Sequence, residues 1–364
     1  MTICIDCRMI DSSGIGVYLR GCLPFFLDTD NNFYLIGSSQ KLKEFISIGA
    51  NIEILECSVK PFSLQELFFF PGGCLSKINS GDRYFSPFFN IPGGIKIPVF
   101  TAIHDIIFPD IPELTSKPGL AVRMWFYRRA FAKSQNIFTV SEFSKLRIEH
   151  YSEKKNQTVI TYSAIQPKFL EYRDKALSRE KNETIIFIGN IKKHKGLDYL
   201  LDAFILAKND GLPHKLVIIG EKNNFRTSDN KMMEKIDVIG NDTVSFTGFI
   251  SDEQLMERLS TAALLVQPSL YEGFCLPPLE AMILGTQALI SDIPVLKEIY
   301  ADYPVKSFRA GDVYDLKNKL MEMLYNKKPE VIILPMELVL KYTFEKTASV
   351  ILRYLNRLNG RGAA

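Results

Sequence analysis

Two glutamates eight residues apart carry the strongest chemical signal in this chain. Residues 268–282 read PSLYEGFCLPPLEAM, with Glu272 and Glu280 inside. The run Leu264–Gln267 has the apolar character of a buried strand that ends at Pro268. Pro277-Pro278 suits the first turn of a helix that Gly285 closes. Glu272 is therefore expected in the loop at a strand's carboxyl end, where open α/β sheets bind ligands. Glu280 falls in the first helical turn. Gly273 permits a backbone in which consecutive N–H groups face a ligand. Taken singly, Glu280 is equally a carboxylate favoured by a helix N-terminus, worth ~0.3–1 kcal/mol, and Glu272 a solvated loop residue. The pair in this setting favours a binding site.

Three other places could meet an anion or a polar ligand. Lys192-Lys193-His194-Lys195 follows Gly189-Asn190 and precedes Gly196-Leu197. Such a basic run is commonly a solvated face, but Lys195 lies between a buried strand and a helix start. Gly14-x-Gly16 opens a helical pattern, and a glycine turn there offers N–H groups to an anion. Leu19 stands where a dinucleotide fingerprint has its third glycine, which argues against NAD or FAD. His104 ends the apolar run Thr101-Ala102-Ile103; a lone histidine there is as readily a satisfied turn residue.

These residues must be positioned by strands. Ile3–Asp6, Phe33–Gly37, Tyr84–Ser86, Val99–Ile103 and Ile137–Val140 form one series, followed by a short apolar strand at Val159–Tyr162. Thr184–Gly189, Leu216–Gly220, Val244–Thr247, Leu264–Gln267 and Ala288–Ser291 form another. Near-continuous apolar strands followed by helical patterns indicate parallel sheets covered on both faces. Two series predict two doubly wound α/β domains, 1–164 and 165–342. A last helix near Thr343–Leu358 and a disordered tail at Gly360–Ala364 make up 343–364.

Composition sets limits. The chain has 364 residues, 46% hydrophobic and 23% charged, so general disorder is excluded. Lys+Arg 44 against Asp+Glu 41 leaves a net charge of +3, too balanced for a partner bound mainly by phosphate neutralisation, so no nucleic acid is expected. No segment reaches the ~18 uninterrupted apolar residues of a membrane span. The first residues lack a basic region and are not expected to be a signal peptide. Six cysteines spread over this length read as reduced thiols, and Cys4-x-x-Cys7 lacks a second ligand pair for a metal.

The stretch 268–282 resembles the Glu-x7-Glu signature of family 4 glycosyltransferases, retaining enzymes of the GT-B fold that use nucleotide sugars. Cys275 stands where that family usually has glycine. Gly189–Leu197 with Leu200-Leu201-Asp202-Ala203-Phe204 is similar to the family's phosphate-binding strand-to-helix turn, and Lys195 matches its diphosphate lysine. Asn190 occupies a place where many members have arginine. Asp6-Cys7-Arg8 with Ser12–Tyr18 resembles the first strand and glycine loop, Thr101–Asp105 the strand-end histidine, and Val140–Lys145 another family element.

The resemblance implies an α/β fold of GT-B type, two Rossmann-like domains facing each other across a cleft, with the final helix crossing back to the first. It implies transfer of a sugar from a GDP-, UDP- or dTDP-linked donor to a glycan or lipid-linked glycan acceptor, in bacterial surface polysaccharide synthesis. Glu272, His104 and Lys195 would be catalytic. Gly14, Gly16, Asn190, Lys195, Gly273, Phe274, Leu276 and Glu280 would hold the donor. Glu272 and the amides near it would take the sugar's hydroxyls, Glu280 the ribose, and His104 would orient the sugar. No cofactor and no metal is expected. Asp28-Thr29-Asp30 has a metal-binding spacing but reads as a polar turn after a helix. A non-catalytic nucleotide-sugar binder and a nucleotide-sugar epimerase of the same fold are the alternatives. A cytoplasmic location is expected. Met124–Phe131 reads as a helix packed on the first sheet, with peripheral membrane contact as the sharper alternative, and Leu67–Pro71 shares that ambiguity.

Overall fold

The computed structural model describes residues 1–49, 51–154, 157–220 and 243–357. The expected tail lies outside them. The chain divides into two compact units, Met1–Gln166 with Tyr342 onward, and Pro167–Lys341. Each is a parallel α/β sheet of the Rossmann type.

The first unit has seven parallel strands: β1 Thr2–Asp6, β2 Asn32–Gly37, β3 Ile52–Glu56, β4 Arg83–Ser86, β5 Val99–Ala102, β6 Ser134–Thr139 and β7 Thr158–Ile160. Their order is β3-β2-β1-β4-β5-β6-β7. The chain winds outward from β1 in one direction and from β4 in the other. The ligand-binding switch point of such a sheet lies at the carboxyl ends of these two neighbours. The final helix, Phe344–Leu355, belongs to this unit. Its Phe344, Ala348, Ile351 and Leu355 share one core with Leu19, Cys22, Leu23 and Phe26 of the helix Ser13–Leu27. The Phe344 ring lies where a side chain on Gly21 would be, so the two helices meet closely through that glycine.

The second unit has six parallel strands: β8 Thr184–Ile188, β9 Lys215–Ile219, β10 Val244–Gly248, β11 Leu264–Gln267, β12 Gln287–Ser291 and β13 Lys306–Phe308. Their order is β10-β9-β8-β11-β12-β13, which places the switch point between β8 and β11. Leu264 and Leu265 pair with Ile185 and Ile186. All four side chains are buried, as a strand covered on both faces requires.

Two strands were not anticipated, β3 and β13. Both are sheet edges. Among the described residues, no helix is long and apolar enough to cross a membrane.

Candidate functional site

The residues after β8 and β11 meet at the second unit's switch point. Lys195 ends a short 3-10 turn, Lys193–Lys195, and Gly196 follows it in the left-handed conformation at φ 70°. A side chain on Gly196 would overlap the Pro268 carbonyl oxygen, so glycine is required both for the turn and for the close approach of the two loops. The Leu270 N–H donates to the His194 carbonyl at 2.7 Å and ties the loops together. Lys195 Nζ then donates to both Glu272 oxygens, at 2.7 and 2.9 Å.

Glu272 is buried and fixed from its other side. Ser269 Oγ donates to its Oε1 at 2.7 Å, and Gln267 Nε2 donates to Ser269 Oγ at 2.8 Å. Ser291 Oγ holds the Ser269 carbonyl. Neither Ser269 nor Gln267 was anticipated, although a buried glutamine at a strand's carboxyl end is a signal. Burial and repulsion from Lys195 push the neighbouring His194 down to about 4, so its imidazole is neutral near pH 7.

The loop 273–276 has an unexpected backbone. Gly273 does not use a positive φ; Cys275 does, at φ 77°. Cysteine therefore adopts the conformation for which glycine is better suited. Tyr300 fixes it: the phenol donates to the Cys275 carbonyl and accepts from the Leu279 N–H at 3.2 Å. The Cys275 thiol hydrogen-bonds Glu272, and burial together with that charge raises it well above its ordinary value. Phe274 is buried and Leu276 half-buried. Asn190 is exposed just after β8.

Glu280 lies in the first turn of the helix Pro277–Ile283, as expected from Pro277-Pro278. Burial pushes its carboxyl up to about 7; Lys168 opposes this and Asp252 adds to it. Lys168 and Asp252 pair with each other. A carboxyl group so poised gains from any hydroxyl that donates to its ionised form.

In the first unit, Gly14 is exposed, with nothing near the place of a Cβ, whereas Gly16 backs against the Ile10 carbonyl and its N–H donates to Ser12 O at 2.6 Å. His104 follows β5. Its Nε2 lies 3.0 Å from the Pro87 carbonyl, and its ring meets Tyr18 edge-on at 4.7 Å. Burial lowers it to about 4, with the Pro87 bond opposing, so it is neutral near pH 7. Nε2 is therefore the protonated nitrogen.

The switch point of the first unit holds a buried polar cluster that sequence reasoning missed. Arg8 grips Asp6 through two hydrogen bonds, 2.9 and 2.6 Å, and also reaches Glu66 at 2.5 Å. Tyr84 donates to Asp6 at 2.8 Å, and Asn90 to Glu66 at 2.9 Å. Burial works against the Asp6 carboxylate, but Arg8 and Tyr84 hold it below the usual range. Ser63-x-x-Glu66 reads as a capping signal, yet only the Ser63 half caps the helix, and Glu66 turns into the core.

Asp28, Thr29 and Asp30 are exposed on the turn after the helix Ser13–Leu27. Among the described residues, no three His, Cys, Asp or Glu side chains converge as a metal site.

Residues 168–333 match the family model described as Glycosyl transferases group 1. The serotype-specific mannosyltransferase WbdA of Escherichia coli is 25% identical over 210 residues, 53% of this chain and 25% of that protein. The O-antigen chain mannosyltransferase RfbU of Salmonella typhimurium is 28% identical over 171 residues, 46% of this chain and 45% of that protein. The chain thus spans from a quarter to less than half of these relatives. The crystal structure of Anabaena Alr3699/HepE in complex with UDP-glucose is similar at a TM-score of 0.70 and 16% identity, covering 98% of this chain and 100% of that one. At that identity the likeness is one of fold. The chain has the GT-B fold, and residues 168–333 within its second unit are similar to group 1 glycosyl transferases.

Proposed function

We propose that the chain is a retaining glycosyltransferase that moves mannose or a related sugar from a nucleoside diphosphate to a hydroxyl of a lipid-carried glycan. The reaction would serve bacterial surface polysaccharide synthesis, in the cytoplasm. The observation that carries the reading is the Lys195–Glu272 pair at the second unit's switch point. The names of the relatives support the sugar, and UDP-glucose in the solved neighbour supports a nucleotide-sugar donor.

In this reading the acceptor oxygen attacks the anomeric carbon on the face that the diphosphate leaves, and the leaving phosphate oxygen takes the acceptor's proton. Charge grows on the diphosphate while the sugar becomes oxocarbenium-like, so preorganised electrostatics supply the catalysis. Lys195, an ammonium with three donors, would share them between Glu272 and phosphate oxygens. Glu272 with the amides of Gly273 and Phe274 would hold the sugar's hydroxyls. Glu280 would accept from the ribose. Lys195 takes the place that a divalent ion fills in metal-dependent transferases.

A thermal-shift screen with GDP, UDP and dTDP tests the reading. A nucleotide at 100 times its Kd stabilises by ~2.7 kcal/mol. Slow release of that nucleoside diphosphate from the matching nucleotide sugar should follow, and it should persist in excess EDTA. No shift with any of the three overturns the reading. Loss in EDTA with recovery in magnesium or manganese overturns the metal-free mechanism.

A further inference from the structure

The first unit carries a surface that the proposed transfer does not use. The helix Lys117–Lys133 turns Phe126, Tyr127, Ala130 and Phe131 inward. On its outer side Val122 and Trp125 are 57% and 49% exposed. The short helix Leu64–Phe68 and the residue after it hold Leu64, Phe68 and Phe69 out to water at 72%, 69% and 74%. These elements meet: Phe68 and Trp125 line one open hollow of about 580 Å³ together with Arg128, Arg129 and Lys133. Large rings left in water are unfavourable unless something covers them.

The charge around them has one sign. The helix Lys117–Lys133 carries Lys117, Arg123, Arg128, Arg129 and Lys133 and no Asp or Glu. Among the described residues, no carboxylate lines the hollow. Glu66, the acidic residue of the facing helix, is buried on Arg8. Of the three cations that line the hollow, Arg129 is committed to the carbonyls of Ile91 and Pro92, while Arg128 and Lys133 are exposed. Amphipathic rings suit the depth of lipid headgroups, and exposed lysines and arginines beside them are drawn to anionic lipid.

We propose that this face docks on an anionic lipid bilayer, with Phe68, Phe69 and Trp125 at the headgroup–acyl boundary and Arg128 and Lys133 against lipid phosphates. The proposal is independent of the transfer reaction. It needs only the rings, the cations and their shared hollow.

Trp125 is the one tryptophan of the chain, so its fluorescence reports on this surface alone. The full chain is titrated with phosphatidylcholine vesicles, with and without phosphatidylglycerol, at low salt. Anionic vesicles should shift the emission to the blue, and brominated acyl chains should quench it. Arg128→Glu with Lys133→Glu should weaken binding to anionic vesicles by roughly 100-fold or more, and Phe68→Ser with Phe69→Ser by at least about tenfold. Melting curves close to the parent's show that these variants fold. An emission unchanged by anionic vesicles overturns the proposal, as does undiminished binding by the charge-reversed variant. Sedimentation showing Trp125 covered by a second copy of the chain, without lipid, also overturns it.

Discussion

Lys195 and Glu272 stand 77 positions apart in the chain and share a two-point ion pair, with Nζ 2.7 Å from Oε1 and 2.9 Å from Oε2. Their side chains are 23% and 10% exposed. Charges at that depth are screened less than surface ions, so each strongly affects the field its neighbour feels. The pair joins the two loops that flank the switch point, so a ligand that draws on either residue acts on both loops.

Removing the lysine should separate phosphate from nucleoside. Lys195→Ala is expected to weaken nucleoside diphosphate binding by roughly ten- to 150-fold, the equivalent of one charged hydrogen bond of ~1.5–3 kcal/mol. Binding of the nucleoside alone should change little. Isothermal titration with both ligands checks this; equal losses would place Lys195 away from the phosphates.

The two glutamates should fail differently. Glu280→Ala is expected to cost mainly nucleotide affinity, because a ribose contact is alike in ground and transition states. Glu272→Ala should lower kcat more than it raises KM, since the contacts of Glu272 would be with the reacting sugar. Steady-state kinetics of both variants decides, and near-parent values in both would remove the pair from the site.

Glu280 should also make stability depend on pH. Its carboxyl titrates near 7 in the folded chain, above the ordinary value of 4.5. The folded state therefore holds a proton that the unfolded state has lost. Its contribution is fully present below about pH 4.5 and is lost as pH rises to about 7, a fall of about 3 kcal/mol at ~1.4 kcal/mol per unit. Glu280→Gln should remove this slope in denaturant melts at pH 5 and pH 8. Nucleotide-sugar affinity should rise over the same interval in the parent and stay flat in the variant, because hydroxyls donate to the ionised form.

Cys275 offers a test of backbone strain. Gly is ordinarily less stable than Ala by about 0.5–1 kcal/mol inside regular elements. At φ 77° the order should invert. Cys275→Gly is expected to be about 1 kcal/mol more stable than Cys275→Ala. Both lack the thiol, so their difference isolates the backbone, and thermal melts measure it.

The buried strands β1, β4, β8 and β11 were legible because apolar runs ended by Asp, Ser, Gly or Gln have few other uses. β3 was not, since Ile52–Glu56 is only partly buried and its glutamates, Glu53 and Glu56, are three apart and break the alternation of a half-buried strand. β13 is three residues long with two of them exposed. Glu272 and Lys195 were each legible from their places after strands. Their contact was not, because it depends on β8 and β11 being neighbours across a crossover. Glu66 was hidden for the opposite reason: its neighbours in sequence form a capping pattern, Ser63-x-x-Glu66, while its partner Arg8 lies 58 positions away. Cys275 shows where a local rule gave way, as Tyr300 and the start of the next helix hold a conformation that the residue alone disfavours.

The final helix, packed on Ser13–Leu27 with Phe344 against Gly21, bears on the order in which a ribosome can deliver this protein. The second unit is one continuous piece, Pro167–Lys341, and can complete its core as soon as it emerges. The first unit begins earlier but finishes last. Until Phe344, Ala348, Ile351 and Leu355 leave the exit tunnel, the side of the helix Ser13–Leu27 at Gly21, where Phe344 packs, stays bare to water. A nascent chain thus displays a greasy helical face throughout synthesis of the intervening unit, which makes that face a natural handhold for chaperones.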